Sequence, residues 1–110
     1  MSTTDYDRPV PLDSKDDLDA LVADHDRVLV EFHTDGCSIC ASLEPVLGNV
    51  ARESDAVVAT MNPRDDPVLV DEYDVRSVPK LLLFVDGELR ETLEDGFVPT
   101  EDLLEFVGDV

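Results

Sequence analysis

Three runs of mostly apolar residues alternate with stretches of helical periodicity along the chain. They cover residues 28–32, 57–62 and 80–85, and are rich in Val and Leu. A short, nearly continuous apolar run is typical of a strand that is covered on both faces of a sheet. The pattern therefore predicts three buried strands.

Apolar residues at intervals of three and four positions predict four helices around these strands. Ser14 is a suitable N-cap for the first helix, which we expect to end near Asp24. The second helix begins at or just after Cys37, the third is short with Pro67 at a first helical position, and Thr100 caps the last. Their apolar positions are Leu18, Leu21 and Val22; Leu43, Val46, Leu47 and Val50; Val68, Leu69 and Tyr73; and Leu103, Leu104, Phe106 and Val107.

Asp86-Gly87 is a strong hairpin signal, because tight two-residue hairpin turns favour Asp-Gly. The turn leads from the third strand into an edge strand over residues 89–93, which Gly96 terminates. The alternating helices and strands before it predict parallel units with right-handed crossovers. We therefore expect an α/β fold with a mixed central sheet and helices on both faces.

A single domain accounts for this pattern. The chain has 110 residues, of which 43% are hydrophobic, and that is enough for one core. Residues 1–11 are polar and contain two prolines, so we expect a flexible N-terminal segment with at most a short edge strand near Val10. The domain is then predicted to span residues 12–110.

Acidic residues outnumber basic ones by 27 to 8, which gives a net charge of −19. They are spread along the whole chain, and the apolar periodicity persists between them. This charge argues against nucleic acid and anionic membrane surfaces as partners. A dispersed acidic surface is typical of proteins adapted to molar salt, which screens the self-repulsion.

The sequence also predicts the compartment. No apolar run approaches the length of a membrane span, and the first eleven residues lack the apolar region of a signal peptide. We therefore expect a cytoplasmic protein. In that compartment two closely spaced cysteines are more often catalytic than a structural disulfide.

Cys37 and Cys40 lie between the first buried strand and the second helix, after a turn at residues 34–36. This order puts Cys37 at or just before a helix N-terminus, where free backbone N–H groups and the helix dipole favour negative charge. A thiolate carries such a charge, and it is the attacking species in disulfide exchange. Two intervening residues let the sulfurs meet within one turn, so the pattern predicts a redox-active dithiol.

Two other interpretations of the cysteines are open. Zinc sites use the same CxxC spacing, but a closed structural site needs four ligands. The remaining nitrogen candidates are His25 and His33, and His25 lies on the far side of the strand. Inert buried thiols are the second alternative, although Ser38 and the preceding turn suggest an exposed tip. We therefore predict no metal site.

Several motifs together resemble those of the thioredoxin family. They are Glu31 within the first strand, Cys37-Ser38-Ile39-Cys40, Pro45 in the next helix, Val78-Pro79 before the third strand, the Asp86-Gly87-Glu88 hairpin and Gly96 before the last helix. They occur in family order and near-family spacing from about Leu18 to Val107. The acidic sequence is similar to haloarchaeal-type members, and the resemblance implies a thioredoxin fold.

The resemblance implies a role for each matching residue. Cys37 would be the attacking cysteine and Cys40 the resolving one. Glu31 would be the buried acid that moves protons for the resolving thiol. Pro79 would be a cis-proline that faces the dithiol, and X–Pro bonds are those that permit cis geometry. The implied substrate-binding positions are Gly36, Ser38, Ile39, Val78 and Gly96.

The sequence departs from the family at several positions. Ser38-Ile39 replaces the usual Gly-Pro, Gly36 and His33 replace two tryptophans, Thr60 replaces a lysine near the buried acid, and Lys80 replaces a threonine after the cis-proline. Because the dipeptide between the cysteines helps to set the reduction potential, the choice between reductase, oxidase and isomerase is open. His33 is open as well: it would favour the thiolate if protonated, or it is a surface residue at a strand end.

The leading hypothesis is a thiol–disulfide oxidoreductase that reduces protein disulfides. Its expected partners are disulfide-containing client proteins and an electron donor, either a thioredoxin reductase that uses a nicotinamide cofactor or a glutaredoxin-like protein. We expect a monomer whose domain needs no bound cofactor itself. The alternative is a thioredoxin-fold binding module or soft-metal carrier that uses Cys37, Cys40 and His33, which would show no dithiol turnover.

Overall fold

The computed structural model describes residues 6–108, and in them five strands form one sheet in the order β1-β3-β2-β4-β5. Strands β1, β3 and β2 run parallel, whereas β2–β4 and β4–β5 are antiparallel pairs. This arrangement confirms the predicted mixed sheet. The strands are β1 (Val10–Leu12), β2 (Arg27–Phe32), β3 (Val57–Met61), β4 (Lys80–Val85) and β5 (Glu88–Leu93).

Helices cover both faces of the sheet, as predicted. They are α1 (Lys15–Asp24), α2 (Ser38–Glu53), α3 (Val68–Glu72) and α4 (Thr100–Phe106), with one turn of 3-10 helix at Pro63–Asp65. Helices α2 and α4 pack on Leu29 and Leu81, and α1 and α3 pack on the opposite side of the sheet against Val30 and Phe32. No helix within residues 6–108 has the length and apolarity needed to span a bilayer.

Strand β1 is the short edge strand expected near Val10. It pairs with β3 through Val10, Pro11 and Leu12, so the sheet includes two residues that the predicted boundary assigned to the flexible segment. Proline is compatible with this position because an edge strand has one side without ladder hydrogen bonds. The parts of the predicted segments at residues 1–5 and 109–110 lie outside the described residues.

Two predicted helix starts were each wrong by one residue. Pro99, with φ −65° and ψ 157°, is the N-cap of α4, and Thr100 is its first helical residue. The Thr100 hydroxyl accepts a hydrogen bond from Nδ2 of Asn49 at 3.1 Å, which ties α4 to α2 instead of capping α4. Pro67 is the N-cap of α3, not its first residue, and the 3-10 turn before it was not predicted.

The hairpin between β4 and β5 has the backbone that its sequence predicts. Asp86 has φ 53° and Gly87 has φ 85°, so both turn residues occupy the left-handed region. Asp tolerates this region better than most residues, and Gly adopts it without steric cost.

The surface charge leads to a prediction about salt. Lys15 contacts Asp19 at 2.8 Å and Glu72 at 3.5 Å, but 8 cations cannot neutralise 27 acids. At 1 M salt the Debye length falls to about 3 Å, so repulsion between surface carboxylates largely disappears. We expect the melting temperature to rise by roughly 10 °C from dilute buffer to molar salt, because about 2 kcal/mol corresponds to such a shift in a domain of this size.

Thermal melts in potassium chloride, repeated with a weakly kosmotropic anion, measure this effect. The second salt separates charge screening from the strengthening of apolar burial by excluded salts. A melting temperature that does not change in either series would contradict the salt-adaptation hypothesis.

Candidate active site

The loop after β2 leads into α2, and the two cysteines lie at the start of this helix. The N–H of His33 donates to the carbonyl of Met61 at 2.9 Å, which extends the β2–β3 pairing by one residue. Gly36 then takes φ 82°, a left-handed conformation that other residues adopt with strain. The N–H of Cys37 donates back to the carbonyl of Thr34 at 3.4 Å and closes the turn.

Cys37 is the N-cap of α2, as the sequence predicts. A disulfide joins it to Cys40, with the two Cα atoms 5.2 Å apart. The N–H of Cys40 points at Sγ of Cys37 and donates to it at 3.1 Å. That donor and the helix N-terminus both stabilise negative charge on this sulfur when the disulfide is reduced.

The two sulfur-bearing side chains differ in exposure. Cys37 is half-buried at the surface, whereas Cys40 is only 5% exposed and packs into the protein. Cys37 is therefore the more accessible of the two cysteines, and Cys40 lies behind it. This is the geometry expected of an attacking and a resolving thiol.

A cleft of about 590 Å³ opens beside the cysteines. Both cysteines line it, together with Glu31, Glu44, His33 and Thr60 among others. Pro9 and Pro11 close one side, so the N-terminal edge strand forms part of the cleft wall. The cleft therefore connects the inner cysteine and the buried acid with solvent.

Glu31 is 2% exposed in the middle of the sheet, where Thr60 of β3 and Leu81 of β4 are its neighbours. Within the described part of the chain, its Oε2 atom has no hydrogen-bond partner. Burial, and to a smaller extent the negative charge of Glu44, together raise the pKa of Glu31 to about 8. The burial of Glu31 agrees with the sequence-based prediction.

Glu44 is the electrostatic partner that the sequence analysis missed. It is exposed on α2, yet it lines the same cleft as Glu31. Glu44 follows Cys40 by four positions and Cys37 by seven, so helical periodicity places it on the same face as both cysteines. That spacing is the signal that would have identified it.

Of the predicted substrate-binding residues, Gly36 lines the cleft, whereas Ser38, Ile39, Val78 and Gly96 do not. Ser38 and Ile39 are exposed in the first turn of α2, and Gly36 is exposed at the cleft mouth. The Val78-Pro79 peptide bond is cis, and Pro79 is buried next to β4. Since Lys80 pairs with Phe32, the antiparallel register places Pro79 opposite the start of the loop that carries the cysteines.

The two histidines have different surroundings. His33 is half-buried at the end of β2 and lines the cleft with the cysteines. His25 precedes the other end of β2, where its ring meets that of Tyr6 at 4.7 Å. The two imidazoles are therefore at opposite ends of one strand. Across residues 6–108 we find no group of three or more His, Cys, Asp or Glu side chains arranged to hold a metal ion.

Comparisons with known proteins agree with this geometry. The model of the family described as Thioredoxin matches residues 9–109. The chain is similar to the thioredoxin of Rickettsia bellii, with 32% identity over 84 residues, which is 74% of this chain and 79% of that protein. It is 37% identical over 78 residues to the thioredoxin of Pyropia yezoensis, covering 69% of this chain and 72% of that one.

A comparison with solved structures also finds a thioredoxin with a similar fold. The chain is similar to a mutant thioredoxin from Halobacterium salinarum NRC-1, with a TM-score of 0.90 and 35% sequence identity. The superposition covers 96% of this chain and 93% of that one.

Proposed function

Because the chain belongs to the thioredoxin family, we propose that it reduces disulfide bonds in client proteins, with Cys37 as the attacking thiol and Cys40 as the resolving one. The observation that carries this function is the Cys37–Cys40 disulfide at the N-terminus of α2, with one sulfur at the surface and the other inside. The alternative of a binding module or soft-metal carrier has no comparable support.

The reaction is a two-step exchange that starts from the reduced dithiol. The Cys37 thiolate attacks one sulfur of the client disulfide, forms a mixed disulfide and releases the other client sulfur as a thiolate. The Cys40 thiolate then attacks Sγ of Cys37 and releases the second client thiolate. The client gains two electrons, and the protein is left with the Cys37–Cys40 disulfide.

In this mechanism Glu31 accepts the proton that Cys40 must lose before it attacks. Its support is the shared cleft, which both side chains line, and a pKa of about 8 for Glu31, which is close to that of a thiol. A base is most effective when its pKa is near the operating pH. Glu44, at the open side of the cleft, is suited to pass the proton to water.

The client segment is proposed to lie across the exposed first turn of α2 and the backbone beside Val78-Pro79 and Gly96. Ile39 is 44% exposed, and Phe97, next to Gly96, is 51% exposed. Large apolar side chains that stay exposed at the surface are suited to contact a partner. Gly36 and Ser38 leave the approach to Cys37 uncrowded.

The partners and location complete the proposal. A thioredoxin reductase or a glutaredoxin-like donor restores the dithiol, and the protein works as a monomer in the cytoplasm, where thiols are kept reduced. The net charge of −19 supports a monomer, since copies of the chain repel each other.

An insulin-reduction assay in about 2 M potassium chloride, at which surface repulsion is screened, tests the function. With dithiothreitol as electron source, we expect catalytic precipitation of the insulin B chain well above the rate with dithiothreitol alone. Stoichiometric binding of a soft metal ion without any turnover would contradict the proposal and favour the carrier.

A further inference from the structure

Lys80 is a buried cation directly after the cis-proline. Its side chain is 7% exposed, although lysine is among the residues that are least often buried. Its Nζ atom donates to the carbonyl of Asp74 at 3.0 Å and contacts Oε2 of Glu94 at 3.1 Å. Burial of an ammonium is tolerated only when such partners are present.

The two acceptors belong to different loops. Asp74 follows α3, has φ 52° and begins the loop that leads to Val78-Pro79. Glu94 follows the last residue of β5 and begins the loop that contains Gly96. Lys80 itself pairs with Phe32, the last residue of the strand that leads to the cysteines. One ammonium therefore joins the two loops, and the backbone of the same residue pairs with the strand that leads to the dithiol.

This arrangement is unsuited to a purely stabilising role. An apolar residue of similar length in place of a buried ion pair is often neutral or stabilising, because desolvation of the charges offsets their attraction. Glu94 is half exposed, with 49% of its side chain accessible, so water can solvate its carboxylate if the lysine is removed. What an apolar residue cannot supply is a directed contact with both loops.

We propose that Lys80 is a positioning residue that fixes the loop before Pro79 and the loop around Gly96 at the separation that an extended client segment requires. The proposal rests on the proposed function, which assigns client binding to these loops. Lys80 touches neither the client nor the reacting sulfurs, and it acts through the backbone of its two neighbours.

The test compares a protein substrate with a small one. Insulin must lie along the loops, whereas a small aromatic disulfide needs only access to Cys37. In Lys80→Met we expect the KM for insulin to rise about tenfold while kcat changes less than twofold, since lost uniform binding raises KM alone. The rate with the small disulfide should stay within about twofold of the parent, because the dithiol is unchanged.

Two further variants and a matched control make the result specific. Lys80→Arg keeps a cation that can bond to both acceptors and should restore the KM to within about threefold. Lys15→Met removes the other lysine, which is the first residue of α1 and also contacts two carboxylates, Asp19 in α1 and Glu72 in α3. It should leave both substrates unaffected. If Lys80→Met does not fold, Glu94→Ala tests the same inference by removing the partner of Lys80, and its KM for insulin is expected to rise about threefold.

An unchanged KM for insulin in a folded Lys80→Met variant would overturn the inference. So would an equal rise in Lys15→Met, or an equal loss of rate with the small disulfide. If the parent protein reduces neither substrate, it is the proposed function that fails. If the parent reduces both and Lys80→Met does so with the same KM, only the role of Lys80 fails.

Discussion

Replacement of Cys37 by Ser should abolish protein-disulfide reduction, with a loss of roughly a thousandfold or more, because a hydroxyl at this position does not supply an attacking thiolate. Replacement of Cys40 by Ser should have a different consequence. The first exchange still occurs, but the buried position 40 then holds no sulfur to release the client. The variant should therefore accumulate as a mixed disulfide between Cys37 and a client cysteine.

Non-reducing electrophoresis followed by peptide mapping measures this difference. Ser42→Ala is a suitable control, since Ser42 is exposed one turn further along the same helix and does not line the cleft. It should retain activity and trap nothing. If clients were trapped on Cys37→Ser and not on Cys40→Ser, Cys40 would be the attacking cysteine. That outcome would contradict the assignment, which rests on the 5% exposure of Cys40.

The apolar pattern predicted β2, β3 and β4 well because each of these strands is a nearly continuous run of apolar residues. The apolar run that begins at Lys80 predicted both ends of β4 correctly, and the Asp-Gly pair after it predicted the hairpin. Strands covered on both faces need apolar residues at every position, which is a strong local signal. The acid within β2 was conspicuous for the same reason, and its burial followed from the covered sheet.

Features that depend on tertiary contacts could not be predicted in this way. Thr100 is a residue type that is common at N-caps, but its hydroxyl accepts a hydrogen bond from Asn49 of another helix. The burial of Lys80 is similar, since it requires Asp74 and Glu94 to converge from separate loops. The cleft that joins Glu31 to Glu44 is lined by four elements, β1, β2, β3 and α2, and has no signature in any one of them.

Glu31→Gln is expected to stabilise the protein at neutral pH, because the parent carries a buried carboxyl whose Oε2 atom has no hydrogen-bond partner among the described residues. The pKa of Glu31 is about 8 in the folded protein and near 4.5 in the unfolded chain. Between these values the folded state binds more protons than the unfolded state, so the free energy of unfolding of the parent falls as pH rises. The fall begins near pH 4.5 and ends above about pH 8.

In Glu31→Gln the free energy of unfolding should not fall with rising pH in this way, because glutamine does not ionise. The two proteins should be similar near pH 4, and the variant should be more stable by roughly 2–3 kcal/mol at pH 7. Denaturant unfolding between pH 4 and pH 9 measures the difference. Glu53→Gln, which removes an exposed acid at the end of α2, is the control and should show no comparable trend. Glu44→Gln should give a smaller effect of the same sign, since burial is the main cause of the shift.

The same substitution should slow the second step of the exchange. Gln cannot accept the proton of Cys40, so release of the client from the mixed disulfide should fall by about tenfold to a hundredfold at pH 7, within the range of general-base catalysis. Single-turnover release from a preformed mixed disulfide isolates this step from the initial attack by Cys37. In the parent the rate should rise with pH as Glu31 ionises near pH 8, and the variant should lose that component. Equal release rates and equal stabilities across this pH range would show that Glu31 neither moves the proton nor opposes folding.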